Sequence, residues 1–150
     1  MRPTLQQAED LTDAALKAGA ALGKALSVAV VDEGGYTVLV KRADGARPIT
    51  PQIAQAKAYS AAVMERPSAQ LRNWADSNPV FFNQVAQMGH QPIVPTEGGI
   101  PVKLDGRLIG GLGISGGTPD EDERIARETL AGLGYELDFA AWGQPGTKAV

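Results

Sequence analysis

The chain of 150 residues has no cysteine and a single histidine. The first absence removes disulfides, zinc ribbons, iron–sulfur clusters, thiolate haem ligation and thiol nucleophiles together. The second excludes any centre built from several imidazoles. With no recognisable acidic cage beside it, no metal site is expected. No run of 18 apolar residues occurs, so no membrane-spanning helix is expected. The opening MRPTLQQAED has charge but no apolar stretch, so no signal peptide is expected, and a cytoplasmic protein is the resulting expectation. Basic charge is scarce too. Fourteen Lys and Arg against 17 Asp and Glu leave a net charge of −3, and nucleic acid, which needs a basic field, is not an expected partner.

Glycine, in contrast, is plentiful and clustered. Of 18 glycines, eight fall between residues 98 and 117. The 43% hydrophobic and 21% charged content is that of an ordinary globular chain, and the length is that of one domain. A core over about 4–134 and a C-terminal arm over 139–150 are expected, the arm carrying Trp142, Gly143, Pro145 and Gly146.

Local signals give an order of elements. Thr4 and Gln7 form a capping box, and Leu5, Ala8, Leu11, Ala15 and Leu22 follow at helical spacing to about Gly23. Two β-branched runs, 26–32 and 36–42, flank Glu33-Gly34-Gly35 as a hairpin. Thr50-Pro51 reads as an N-cap before a helix to about Met64, stopped by Arg66-Pro67. Arg66 is placed either to cap that helix or to clamp a carboxylate. Ser68 is expected to cap a short helix through Trp74, and Asn78-Pro79 to open another. Pro92-Ile93-Val94-Pro95 reads as a short edge strand. Residues 98–104 and 107–114 flank Asp105-Gly106, a strong hairpin turn. Thr118-Pro119-Asp120-Glu121 is a second capping box, opening a helix that ends near Gly132 or Gly134. The order α–ββ–αα(α)–βββ–α implies an α+β domain with one five-stranded antiparallel sheet.

Gly111-Leu112-Gly113-Ile114-Ser115-Gly116 matches a dinucleotide fingerprint, with Glu136 at the position of a ribose-binding acid. The Asp105-Gly106 hairpin makes the strand antiparallel, and only 34 residues follow Gly116, too few to complete a doubly wound sheet. The glycines instead let a helix or ligand lie close on the strand. Ser115-Gly116-Gly117-Thr118, at a helix N-terminus, reads as a place for an anion or carboxylate.

The segment Gly98-Gly-Ile-Pro-Val-Lys-Leu-Asp-Gly-Arg-Leu-Ile-Gly-Gly-Leu-Gly-Ile-Ser-Gly-Gly-Thr-Pro-Asp-Glu-Asp122 closely resembles the GlcG/HbpS family, which includes the C-terminal domain of PduO-type proteins. Val30-Val-Asp-Glu-Gly-Gly35 and Ala54-x-x-Lys57-Ala58-x-x-Ala61 fit the same pattern, and the resemblance covers about residues 4–134. It implies a profilin-like α+β domain, homo-oligomers from dimer to octamer, and haem or tetrapyrrole binding in some members. Where the family often reads I-D-I-A-R-D-K, this chain has Pro51-Gln-Ile-Ala-Gln-Ala-Lys57, so Lys57 stands without the neighbouring acid and base.

Several residues stand out chemically. Lys57 and Asp122 fall on the apolar faces of their helices, where a charge needs a partner. Lys57 with an inward carboxylate, Asp122 or Glu97, is either a polar centre that binds an anionic ligand or moves a proton, or a structural ion pair, or else Lys57 snorkels to the surface. The glycine-rich ledge before the last helix is expected to shape a cavity into which Lys57 points. Thr96, Glu97, Gly98 and Gly99 lead into the strand, with backbone open to a ligand and Glu97 as a general base if the protein is an enzyme. His90 is the best available haem axial ligand, with Met88 as a sulfur donor nearby. Trp74, Phe81 and Phe82 serve either a flat ligand, or the core or an interface. Three functions are compatible with this set. One is a small-molecule-binding oligomer, with haem or a tetrapyrrole as ligand. The second is a cofactor-independent lyase, isomerase or hydrolase for a small acidic metabolite, with Lys57, Glu97 and His90 as catalytic residues. The third is a structural oligomer with no pocket.

Overall fold

The computed structural model describes residues 1–139, so the expected arm beyond Phe139 lies outside the described residues. Helix α1 (Leu5–Ala21) is followed by strands β1 (Ser27–Asp32) and β2 (Thr37–Arg42) and helix α2 (Thr50–Met64). A 3₁₀ turn (Ser68–Leu71) leads into short helices α3 (Arg72–Ser77) and α4 (Pro79–Val85). Strands β3 (Gly99–Leu104) and β4 (Arg107–Ser115) and helix α5 (Pro119–Gly132) complete the order. The sheet runs β2-β1-β4-β3, with every pair antiparallel.

The α+β architecture is as expected, with four strands among the described residues rather than five. Pro92–Pro95 is not an edge strand. Its two prolines leave only the Ile93 and Val94 N–H groups to pair. Those donate to the Ala86 carbonyl at 3.1 Å and to Ser60 Oγ at 2.9 Å, which ties the segment to α2 and α4 instead of to a strand. Two helix starts also differ. Helix α2 begins at Thr50, with Ile49 as its cap residue, and Thr50 Oγ1 donates to the Arg47 carbonyl at 2.7 Å instead of capping. Ser68 does not cap a helix through Trp74. Its hydroxyl donates to the Thr96 carbonyl and accepts from the Gly99 N–H, so it holds the β3 entry.

Both capping boxes are present. Thr4 and Gln7, and Thr118 and Glu121, exchange their side-chain and backbone bonds. At the β3–β4 turn Asp105 and Gly106 both have left-handed backbone, φ 51° and 74°, as a tight two-residue hairpin requires.

The sheet buries both faces. On one, α1 and α5 pack Leu11, Ala15, Ile125 and Leu130 against Val28, Val30, Leu112 and Ile114. On the other, α2 lays Ala54, Ala58 and Ala62 on Ala29 and Val31. This contact is close because β4 has no side chains there. A Cβ on Gly111 would stand 2.2 Å from the Ala58 carbonyl oxygen, and one on Gly113 would stand 2.0 Å from that of Ala54. The fingerprint glycines therefore receive a helix, not a dinucleotide. The outer side of α2 is covered in turn. Tyr59 packs with Leu71, Trp74, Phe82 and Ile93, so Trp74 and Phe82 belong to the core, while Phe81 is exposed. The layers run α1/α5, sheet, α2, α3/α4. Helix α2 is buried on nearly every side, which explains its alanine-rich, weakly amphipathic sequence.

Candidate functional site

Lys57 and Asp122 meet across the glycine ledge. Lys57 Nζ stands 3.0 Å from Asp122 Oδ2 and donates to the Ile114 carbonyl at 2.8 Å. Asp122 Oδ1 accepts from the Gly117 N–H at 2.9 Å. The residues are only 4% and 3% exposed, so both charges are out of water and depend on each other. Burial pushes the Asp122 carboxyl above its ordinary range, while Lys57 and the Gly117 N–H pull it back. The pair ties α2 to β4 and α5.

The backbone beside Lys57, at the entry to β3, is packed and not hollow. A Cβ on Gly98 would stand 2.9 Å from Lys57 Nζ, and one on Gly99 would stand 2.2 Å from the Lys57 carbonyl oxygen and 2.7 Å from Ser68 Oγ. Glu97 turns to its neighbour, its Oε2 accepting from Thr96 Oγ1 at 3.2 Å, and the Gly98 N–H goes to Glu123 at 3.1 Å. The inward carboxylate beside Lys57 is thus Asp122. Arg66 Nε donates to the Met64 carbonyl at 2.8 Å and closes the C-terminus of α2.

His90 lies at the β1–β2 turn. Its Nε2 is 3.1 Å from the Gly35 carbonyl oxygen. A carbonyl only accepts, so Nε2 carries a proton and donates it to Gly35. The ring stacks on Tyr36, with centroids 4.1 Å apart and planes 8° from parallel, and meets Tyr59 edge-on at 4.8 Å. Burial raises the Tyr59 hydroxyl above the usual phenol range, so it stays neutral. His90 itself is exposed, and Met88 two residues away is 75% exposed. The imidazole is therefore clamped at a surface with Nε2 occupied and Nδ1 without a hydrogen-bond partner among the described residues.

A third place is a cleft of about 600 Å³ where the start of β1, the start of α2 and the β4–α5 junction converge. Ser115, Gly116, Gly117 and Thr118, the segment read from the sequence as a place for an anion or carboxylate, form one wall. The opposite wall brings Lys24 and Arg47, which the sequence did not single out. Each sits in a loop with no local pattern, and only the tertiary fold places them together. Lys57, His90, Glu97 and Asp122 are not among the residues lining this cleft. Among the described residues, no cluster of three or more His, Cys, Asp or Glu is placed to hold a metal ion, and no helix is long and apolar enough to cross a membrane.

Known proteins share this architecture. An uncharacterized 15.0 kDa protein from the dhaT-dhaS intergenic region of Citrobacter freundii is 34% identical over 133 residues, covering 83% of this chain and 93% of that protein. The crystal structure of a double mutant of Streptomyces reticuli HbpS superposes with a TM-score of 0.79 at 32% identity, over 89% of this chain and 88% of that one. The PduOC:heme complex superposes with a TM-score of 0.82 at 26% identity, over 91% of this chain and 99% of that one. The family described as haem degrading protein HbpS-like matches residues 4–131. With its sheet order, its β4 glycines packed against α2 and that match, the chain belongs to the HbpS-like family.

Proposed function

We infer that the protein binds haem or a related tetrapyrrole, with His90 as the axial donor. One observation carries this reading: His90 is exposed, and its Nε2–H is spent on Gly35, which leaves Nδ1 as the nitrogen free to face a ligand. A metal-binding imidazole has its second nitrogen held in this way, because the hydrogen bond fixes both tautomer and ring orientation. Tyr36, stacked on His90, and Met88, two residues away, expose large apolar side chains that suit a flat ligand. Bound there, haem would supply a redox-active iron; the chain's own contribution is the orientation of one imidazole. A relative solved as a haem complex supports the reading. The same exposed side chains support assembly into a homo-oligomer, between dimer and octamer, which light scattering on the purified protein tests.

Haemin titration is the direct experiment. A saturable Soret band is expected, and His90→Ala should weaken binding about tenfold or more in a variant that still folds. A titration with no saturable band, or one that His90→Ala leaves unchanged, would exclude the assignment. Catalysis centred on Lys57 and Glu97 has less support. The Lys57 ammonium is engaged by Asp122 and Ile114, and neither Lys57 nor Glu97 lines the large cleft.

A further inference from the structure

We propose that the cleft at the start of α2 is a second binding site, selective for a small metabolite carrying one carboxylate. This goes beyond the haem reading and does not depend on it. Ser27, at the cleft end of β1, and Asp32, beside the turn that holds His90, are five residues apart, so the two places are separated by roughly 17 Å.

Thr50 and Ser115 line the cleft, and Ser27 lies behind Thr50 at the same end of the sheet. Thr50 Oγ1 spends its only proton on the Arg47 carbonyl, at 2.7 Å. It must therefore accept from Ser27 Oγ, 2.8 Å away. This small chain is closed. Ser115 is outside it: the residue is 5% exposed, lines the cleft, and among the described residues its hydroxyl has no hydrogen-bond partner. That hydroxyl, unpaired within the protein, opens on the cleft and can donate to or accept from a ligand there. Its strand position sets its direction. Ser115 shares the α2 face of β4 with Gly111 and Gly113, which have no side chains to cover it.

Charge then chooses the ligand. The cleft is lined by Lys24 and Arg47. Lys24 is shared with Glu121 at 3.5 Å, while the exposed Arg47 guanidinium has no ion pair among the described residues. One positive charge is left uncompensated, which suits a monoanion. Arg47 presents the paired N–H donors that match a carboxylate. Ile49 and Ile53 complete the wall with apolar surface, which favours a carboxylate on a short aliphatic chain over a bare inorganic ion.

The probe is butyrate, with butyramide as its uncharged isostere and inorganic phosphate as a competing anion, followed by amide NMR shifts on the full chain. Butyrate should produce saturable shifts at Gly45, Gly116 and Gly117 with a millimolar Kd, and butyramide should not. Arg47→Gln should weaken the response about tenfold and Ser115→Ala about fivefold, each by loss of one hydrogen bond to the anion. Because Arg47 is exposed, the first variant tests the site even if the second folds poorly. His90→Ala should leave the butyrate response unchanged while reducing haemin binding. No saturable shift up to about 50 mM, an equal response to butyramide, or indifference to Arg47→Gln would each overturn the site. Phosphate binding more tightly than butyrate would overturn the assignment to a carboxylate.

Discussion

Removing the Lys57 ammonium leaves a carboxylate buried with a single N–H donor. Lys57→Met is therefore expected to destabilise the fold by about 3–5 kcal/mol at neutral pH, the cost of a buried charge without its partner. The pH dependence separates this from simple loss of packing. Burial already pushes the Asp122 carboxyl up, and without Lys57 it rises further. A carboxyl with a raised folded value contributes stability below its unfolded value and loses it as pH rises through the folded value. The penalty in Lys57→Met should thus be largest near neutrality and shrink on acidification, which denaturant melts from acid to neutral pH would show. A penalty independent of pH would place the cost in packing alone. That Lys57 and Asp122 both needed partners was readable from their positions on apolar helix faces. That Asp122 and not Glu97 is the partner of Lys57, 65 residues away, was not.

Among the elements, α2 and β4 make the tightest fit, backbone against backbone. Gly113→Ala should cost about 3 kcal/mol, because its Cβ would stand 2.0 Å from the Ala54 carbonyl oxygen and force the helix off the sheet. Gly132→Ala, with nothing within 4 Å of its Cβ position at the end of α5, should instead stabilise by about 0.5 kcal/mol. Equilibrium unfolding of the two variants side by side checks both, and equal effects would refute the close-packing account. At the start of α5, the Thr118 N–H holds the Glu121 carboxyl below its ordinary value near 4.5. A lowered folded value means stability present above 4.5 and lost as pH falls through the folded value. Glu121→Gln retains the acceptor but not the titration, so its acid limb should be flatter in the same melts. The element order and both caps were legible because capping boxes and the Asp105-Gly106 turn are local chemistry. The extra strand was misread because apolar residues between two prolines look alike whether they pair with a strand or with Ser60.

Across the whole molecule, protection should follow the layers. Strands β1 and β4 are central in the sheet and covered on both faces, so their amides should exchange slowest with deuterium. The α3–α4 layer, built from short helices on the far side of α2, should open earlier. If α4 amides were as slow as those of β4, the outer layer would be part of the cooperative core. This ordering separates the two binding places physically. His90 sits on the outer layer's loop, while the cleft is built on the ends of the most protected strands.

The sequence by itself determined the family, the helices with their caps, the hairpins and the need for close packing at the glycine run, because each depends on neighbours a few residues away. Only the tertiary structure decided that the glycines receive α2, that Lys57 is consumed by Asp122, and that Lys24 and Arg47 face an unpaired Ser115 across a cleft. Those outcomes depend on which distant segments the sheet brings within a few ångströms, and no local pattern in the chain records that distance.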